Sequence, residues 1–200
     1  TRSGSLVTLD SLLSEAIEKG TAEVLRRAQE PGSPTHGLPK EDLLNTGRQI
    51  GIGAIKYADL SNDLVRDYVF DMDRMVAFEG NTGPYIQYAS ARISSLVRRG
   101  GGASGDAVFI LNESQERLLA LQLLQYEIVL RDTMKHLEPH RLCTWLFELT
   151  EAFNSFYQSC PVLKAEDCAV RDSRLRLSGL AGRVIMDGLD VLGIESPQQM

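Results

Sequence analysis

The segment that begins at Pro139 constrains the fold more than any other. Leu142, Trp145, Leu146, Leu149, Phe153 and Phe156 recur at intervals of three or four. That spacing lays large apolar side chains along one face of an α-helix. Glu138-Pro139 predicts its start, because a residue before proline avoids helical geometry and proline suits the first helical turn. Ser159-Cys160-Pro161 closes it.

The remaining segments read in the same way. Val7 to Ala28 predicts a helix opened by Asp10 or Ser11, with Leu12, Leu13, Ala16, Ile17, Val24 and Leu25 apolar. The Pro- and Gly-rich stretch 31–39 is a loop. A second helix is expected from about Lys40 to Leu60. Inside it, Gly51-Ile52-Gly53 superficially resembles a phosphate loop but lacks the preceding strand and the lysine spacing, so close helix packing is expected. Tyr68-Val69-Phe70 is the one plausible strand. Asp71 and Asp73 are expected to face solvent around a turn. Stretch 99–105 is a linker-like turn. Asn112 with Gln115 resembles a capping box opening one long helix that carries Leu118, Leu119, Leu123, Leu124, Ile128 and Leu130. Asp172 or Ser173 is expected to cap a last helix with Leu175, Leu180, Val184, Ile185 and Leu189, ended by Gly193. Four long helices after residue 80, joined by short connections, predict a mainly α chain built as a helical bundle.

Of the 200 residues, 43% are apolar and 24% charged, the balance of an ordinary soluble domain with a substantial core. No apolar run approaches the ~18 residues a membrane helix needs. Thr1 is followed by no charged-then-apolar signal pattern, so the chain is expected to be cut from something longer. The net charge of −6 is unlike that of a generic nucleic-acid binder, but Arg92, Arg98 and Arg99 cluster on one predicted helix. Cys143, Cys160 and Cys168 fit no zinc spacing and are expected as reduced thiols in a cytoplasmic protein.

The stretch 79–99 carries the most information about function. Thr82 or Asn81 is expected to cap a helix, and Pro84 fits its first turn. No breaker follows before about Arg99. Tyr85, Tyr88 and Arg92 then fall on one face, beside an apolar stripe of Ile86, Ala89, Ile93, Leu96 and Val97. Phenol rings stack on bases, and guanidinium groups donate to base edges and phosphates. By spacing alone, the tyrosines read as the edge of a core. Asn81 and Gln87 read as capping, packing or hydrogen-bonding residues.

The run E-G-N-T-G-P-Y-I-Q-Y-A-x-x-R over 79–92 closely resembles a signature of the arginyl-tRNA synthetases, which are class I aminoacyl-tRNA synthetases. G-I-G-A-I-K-Y-A-D-L over 51–60, S-R-L-R-L over 173–177 and G-L-D-V-L-G-I over 188–194, with Met200 last, are similar to other segments of that family. The resemblance covers essentially the whole chain in order. It implies that 1–79 is the end of a catalytic domain and 80–200 a helical anticodon-binding domain. It implies that Thr1 and Arg2 are the tail of a loop that holds ATP phosphates. It implies that Tyr85, Tyr88, Arg92, Tyr157 and Met200 meet the anticodon loop. The parent enzyme would join arginine to ATP, with magnesium, as an adenylate and transfer it to tRNA. The implied partners are the tRNA for arginine and the N-terminal catalytic part, with neither a membrane nor DNA.

Some chemistry is not in the sequence. No H-I-G-H-like motif or alternating strand–helix pattern occurs, so this piece is expected to carry no complete catalytic site and no activity alone. His136 and His140 stand four apart, but Pro139 interrupts the helix between them, so no metal site is expected. Two alternatives are a protein-docking helical module with its groove on 118–130, and the anticodon domain of a related synthetase such as that for cysteine or methionine. The G-N-T-G-P-Y-I-Q-Y-A run argues against the latter.

Overall fold

The computed structural model describes residues 8–65, 70–102 and 107–200. Its helices are α1 (Leu9–Ala28), α2 (Lys40–Leu60), α3 (Met72–Met75), α4 (Gly83–Arg99), α5 (Ser114–Leu124), α6 (Tyr126–His136), α7 (Pro139–Ser159) and α8 (Cys168–Val191). No strand occurs among the described residues. Of the expected strand, Tyr68 and Val69 lie outside them, and Phe70 is exposed without strand geometry.

The six apolar positions of α7 are all buried. They form the centre of the larger core with Ile86, Ile93 and Leu96 of α4, Leu119 and Leu123 of α5, and Leu175, Ile185 and Leu189 of α8. Trp145 stacks on Tyr126 with ring centres 5.1 Å apart. A second, smaller core joins Val24 of α1, Leu43 and Ile50 of α2, Ala91 of α4 and Met200. Helix α4 therefore contributes to both cores.

Close approach of α1 and α2 depends on glycine. A Cβ at Gly51 would stand 2.5 Å from the Ala16 carbonyl oxygen, and one at Gly47 would stand 2.5 Å from the Thr21 Cα. The Gly51-Ile52-Gly53 segment thus lies inside a helix contact. Gly53 also makes room for the Gln87 amide, whose Nε2 would be 2.6 Å from a Cβ there.

Thr82 starts α4 as expected. Its Oγ1 accepts from the Tyr85 N–H at 3.3 Å and donates to the Ala77 carbonyl at 2.6 Å. Asp71 and Asp73 face solvent as expected, and there Asp71 also caps the short α3 while Asp73 pairs with Lys19. Three other boundaries differ from expectation. Thr8, not Asp10 or Ser11, caps α1, its Oγ1 accepting from the Ser11 N–H at 3.2 Å. Glu113 with Glu116, rather than Asn112 with Gln115, forms the capping box of α5; the Glu113 N–H donates to Glu116 Oε2 at 2.8 Å. Asp167 caps α8, so Asp172 and Ser173 lie within the helix. Ser173 accepts there from the Ile110 N–H at 2.7 Å.

The expected single helix from 112 onward is two, joined at Gln125. Only Leu119 and Leu123 of its proposed apolar set are buried; Leu118, Leu124 and Ile128 face solvent. One acid of α5 turns inward instead. Glu116 is 1% exposed, and its Oε1 accepts from Arg174 Nε of α8 at 2.6 Å. Burial of a charge requires such a partner, so this pair holds the start of α5 against α8.

Candidate functional site

Residues 88–99 of α4, the end of α7 and the last residues of the chain converge on one cavity of about 330 Å³, at the small end of the range for ligand pockets. Tyr88 and Arg92 line it from α4, Tyr157 from α7, and Met200 from the tail. Arg98 and Arg99 continue its wall. Both are exposed, and neither they nor Arg92 forms an ion pair among the described residues. No Asp or Glu lines the cavity among the described residues. A locally cationic, aromatic site thus sits on an acidic chain.

Each wall is held by its neighbours. The Arg92 guanidinium lies over the Tyr157 ring, 4.4 Å from its centre, and Tyr157 stacks on Phe153. Tyr88 meets Phe78 edge-on at 6.4 Å, and the Arg27 guanidinium stands 4.1 Å from the Phe78 centre and 5.2 Å from that of Tyr88. Arg27 in turn donates to Glu23 Oε1 at 2.8 Å. Hydrogen bonds from Arg26, and then from Arg27, hold the Glu23 carboxyl down at about 2. Met200 is 4% exposed and packs in the smaller core beside Tyr88.

Tyr85 takes a different place. Its ring packs against Phe147, while its hydroxyl donates to Glu151 and accepts from Asn154 Nδ2 at 2.7 Å. Burial and the Glu151 carboxylate push the phenol up to about 12. It does not line the cavity. Asn81 accepts from the Tyr57 hydroxyl at 2.6 Å and Gln87 is fully buried, so both act within the fold. Thr1 and Arg2 lie outside the described residues. Cys143 and Cys160 are buried free thiols, and Cys168 is free and exposed; burial pushes the Cys143 thiol up to about 12.

The arrangement offers stacking surfaces, a thioether and fixed positive charge. It is suited to holding a planar, anionic ligand rather than to bond-breaking.

The profile of the DALR anticodon binding domain matches residues 86–200, and that of the class I (R) tRNA synthetase catalytic domain matches residues 1–72. The chain belongs to the DALR anticodon-binding family, in the form found in arginyl-tRNA synthetases. It is 46% identical to the arginine–tRNA ligase of Thermobifida fusca and 43% identical to that of Cellvibrio japonicus, in each case over all of this chain and 34% of the relative. Among solved structures, Thermus thermophilus arginyl-tRNA synthetase superposes with a TM-score of 0.87 at 30% identity, covering 98% of this chain and 33% of that one. The Plasmodium falciparum arginyl-tRNA synthetase superposes at 0.82 with 27% identity, covering 98% and 34%. The chain thus spans about a third of the length of these relatives.

Placing the DALR family's helices also shows what the sequence left unseen. Arg27 and Phe78 buttress Tyr88 from outside the DALR match, and Pro34 and Gln199 border the cavity. The one sequence signal for Arg27 is its four-residue spacing from Glu23, which marks a helix-surface pair and not a distant ring.

Proposed function

We propose that this chain reads the anticodon loop of the tRNA for arginine, as part of an ATP-dependent arginine–tRNA ligase. The observation that carries the reading is the convergence of Tyr88, Arg92, Tyr157 and Met200 on one cavity beside Arg98 and Arg99. Single-stranded loops are recognised by splaying bases onto aromatic surfaces and bonding their exposed edges. A base entering this cavity meets two phenol rings, the Met200 side chain and the Arg92 guanidinium. Arg98 and Arg99, exposed on the cavity wall, would supply counter-charge for the attached phosphates. Tyr85 serves by holding α4 against α7 through Glu151 and Asn154.

Residues 1–79, by this reading, close a catalytic unit, and residues 80–200 form the recognition unit. ATP and magnesium would belong to the N-terminal catalytic part, which is the second partner, and the site of action would be the cytoplasm. No described helix is long and apolar enough to cross a membrane, and neither a membrane nor DNA is proposed as a partner. The solvent-facing Leu118, Leu124 and Ile128 support a second reading, a protein-docking module.

Binding decides between them. Wild type, Tyr88→Ala and Arg92→Ala are titrated with arginine tRNA and with tRNA altered at the middle anticodon base, at two salt concentrations. Loss of one stacked base is worth roughly 1–3 kcal/mol, or ~5- to 150-fold in affinity. If Arg92 reads a base edge, its variant also loses discrimination at the middle base; if it meets phosphate, the loss is uniform and the salt slope shrinks. Folded variants that bind as wild type would leave the docking reading as the better one.

A further inference from the structure

We propose that Gln87 is a positioning residue for the cavity, acting through the tail 194–200 that carries Met200. The inference rests on the anticodon reading above and names how that site is kept in shape.

The tail has little backbone order of its own. Its last backbone hydrogen bond to backbone among the described residues is Ile194 N–H to the Leu189 carbonyl at 2.8 Å. From there to Met200, side chains provide the hydrogen bonds. Gln87 is the central one: its Nε2 donates to the Glu195 carbonyl at 2.7 Å and to the Gln49 carbonyl of α2 at 3.2 Å. It is fully buried, and its Oε1 finds no partner. A half-satisfied amide in a core is costly, so packing alone does not account for this residue. An apolar side chain of similar size would fill the space without that cost.

The surroundings are built around that amide. Gly53 has no room for a Cβ because the Gln87 amide occupies the space. On either side, Lys56 bonds the Gly193 carbonyl and Gln49 Nε2 donates to Glu195 Oε2 at 2.9 Å. Gln87 therefore ties α4, α2 and the tail at one point. One residue further along α4, Tyr88 lines the cavity that Met200 closes. A fixed tail at residue 195 sets where residue 200 arrives.

Two variants test this by different routes. Gln87→Leu removes the donor while keeping the bulk. Gly53→Ala leaves Gln87 in place but forces its amide aside, and the displaced group is the end of a flexible side chain, so the fold survives. The first readout needs no RNA: the methyl resonance of Met200 in ¹³C-methyl-methionine-labelled protein, assigned with Met200→Leu. Both variants should shift or broaden it, with circular dichroism showing an unchanged helix content. An unmoved resonance in folded Gln87→Leu and Gly53→Ala overturns the inference while leaving the anticodon reading intact.

The second readout is a double-mutant cycle in tRNA binding. Met200→Ala and Gln87→Leu should each weaken binding by about fivefold or more. Because one acts through the other, the double variant should lose little more than either single variant. Multiplying losses would make Gln87 a general stabiliser and overturn the proposal. If wild type itself fails to bind arginine tRNA, the anticodon reading falls and this inference falls with it.

Discussion

The guanidinium of Arg92 and the ring of Tyr157, from two helices 65 positions apart in sequence, face each other at 4.4 Å. The contact gives the exposed Arg92 a fixed surface to rest on, since Tyr157 is itself stacked on Phe153. Replacing Tyr157 by Leu should therefore loosen Arg92 as well as remove a stacking surface. Under the anticodon reading, Tyr157→Leu should weaken arginine-tRNA binding by roughly 5- to 150-fold, the equivalent of one lost stack. Tyr157→Phe, which keeps the ring, should bind within a few-fold of wild type. Fluorescence titration of both variants measures the difference.

Trp145 is 3% exposed and stacked on Tyr126, and its indole N–H has no hydrogen-bond partner. Trp145→Ala should cost about 3–5 kcal/mol through the cavity it leaves. Trp145→Phe should cost less, because no hydrogen bond is lost and most of the stacking area remains. Urea denaturation followed by circular dichroism distinguishes the two.

Gly51 faces backbone rather than side chain: Ala16 carbonyl atoms lie within 2.6 Å of where its Cβ would stand. Backbone does not rotate away, so Gly51→Ala should separate α1 from α2 and cost about 1–3 kcal/mol or more. Gly101, with φ of +84° and open space around its Cα, is a useful contrast. Alanine there strains the backbone but displaces no neighbour, so its melting temperature should fall less.

Glu23 sets a pH dependence whose sign can be worked out. Its folded value of about 2 lies below the ordinary 4.5 because Arg26 and then Arg27 bond the ionised form. A depressed carboxyl stabilises the fold above its unfolded value and loses that contribution as pH falls through the folded one. Stability should therefore decline between about pH 4.5 and 2, with Arg27 released from its tether beside Tyr88. Glu23→Gln should flatten that part of the curve in pH-dependent thermal melts and lower stability at neutral pH.

The legible parts of this fold were those encoded by neighbours in sequence. Thr82 followed by Pro84 is a local instruction, as is the stripe of α7, and both lead directly to observed structure. The stretch 114–136 was not legible because it carries leucines on more than one face. Leu119 and Leu123 were selected by packing on α7, and no local rule favours them over Leu118 and Leu124. The α8 cap is ambiguous in sequence for a similar reason: Asp167 and Asp172 both suit the role by type, and the structure uses Asp167. Within the site, helical spacing put Tyr85 and Tyr88 on one face, yet a 60° offset sends one to Glu151 and the other to Phe78. The Arg27–Tyr88 and Gln87–Glu195 contacts join residues 61 and 108 positions apart, beyond what helical periodicity reports.

The near-complete burial of Met200 has a practical side. Its side chain sits in the smaller core with Val24, Leu43 and Ile50, and the cavity opens beside it. A tag or linker joined at Met200 would start from a residue only 4% exposed, beside the cavity lined by Arg98 and Tyr157. A handle for immobilisation or imaging belongs elsewhere, for example in the 101–102 turn, where both glycines have open space around them.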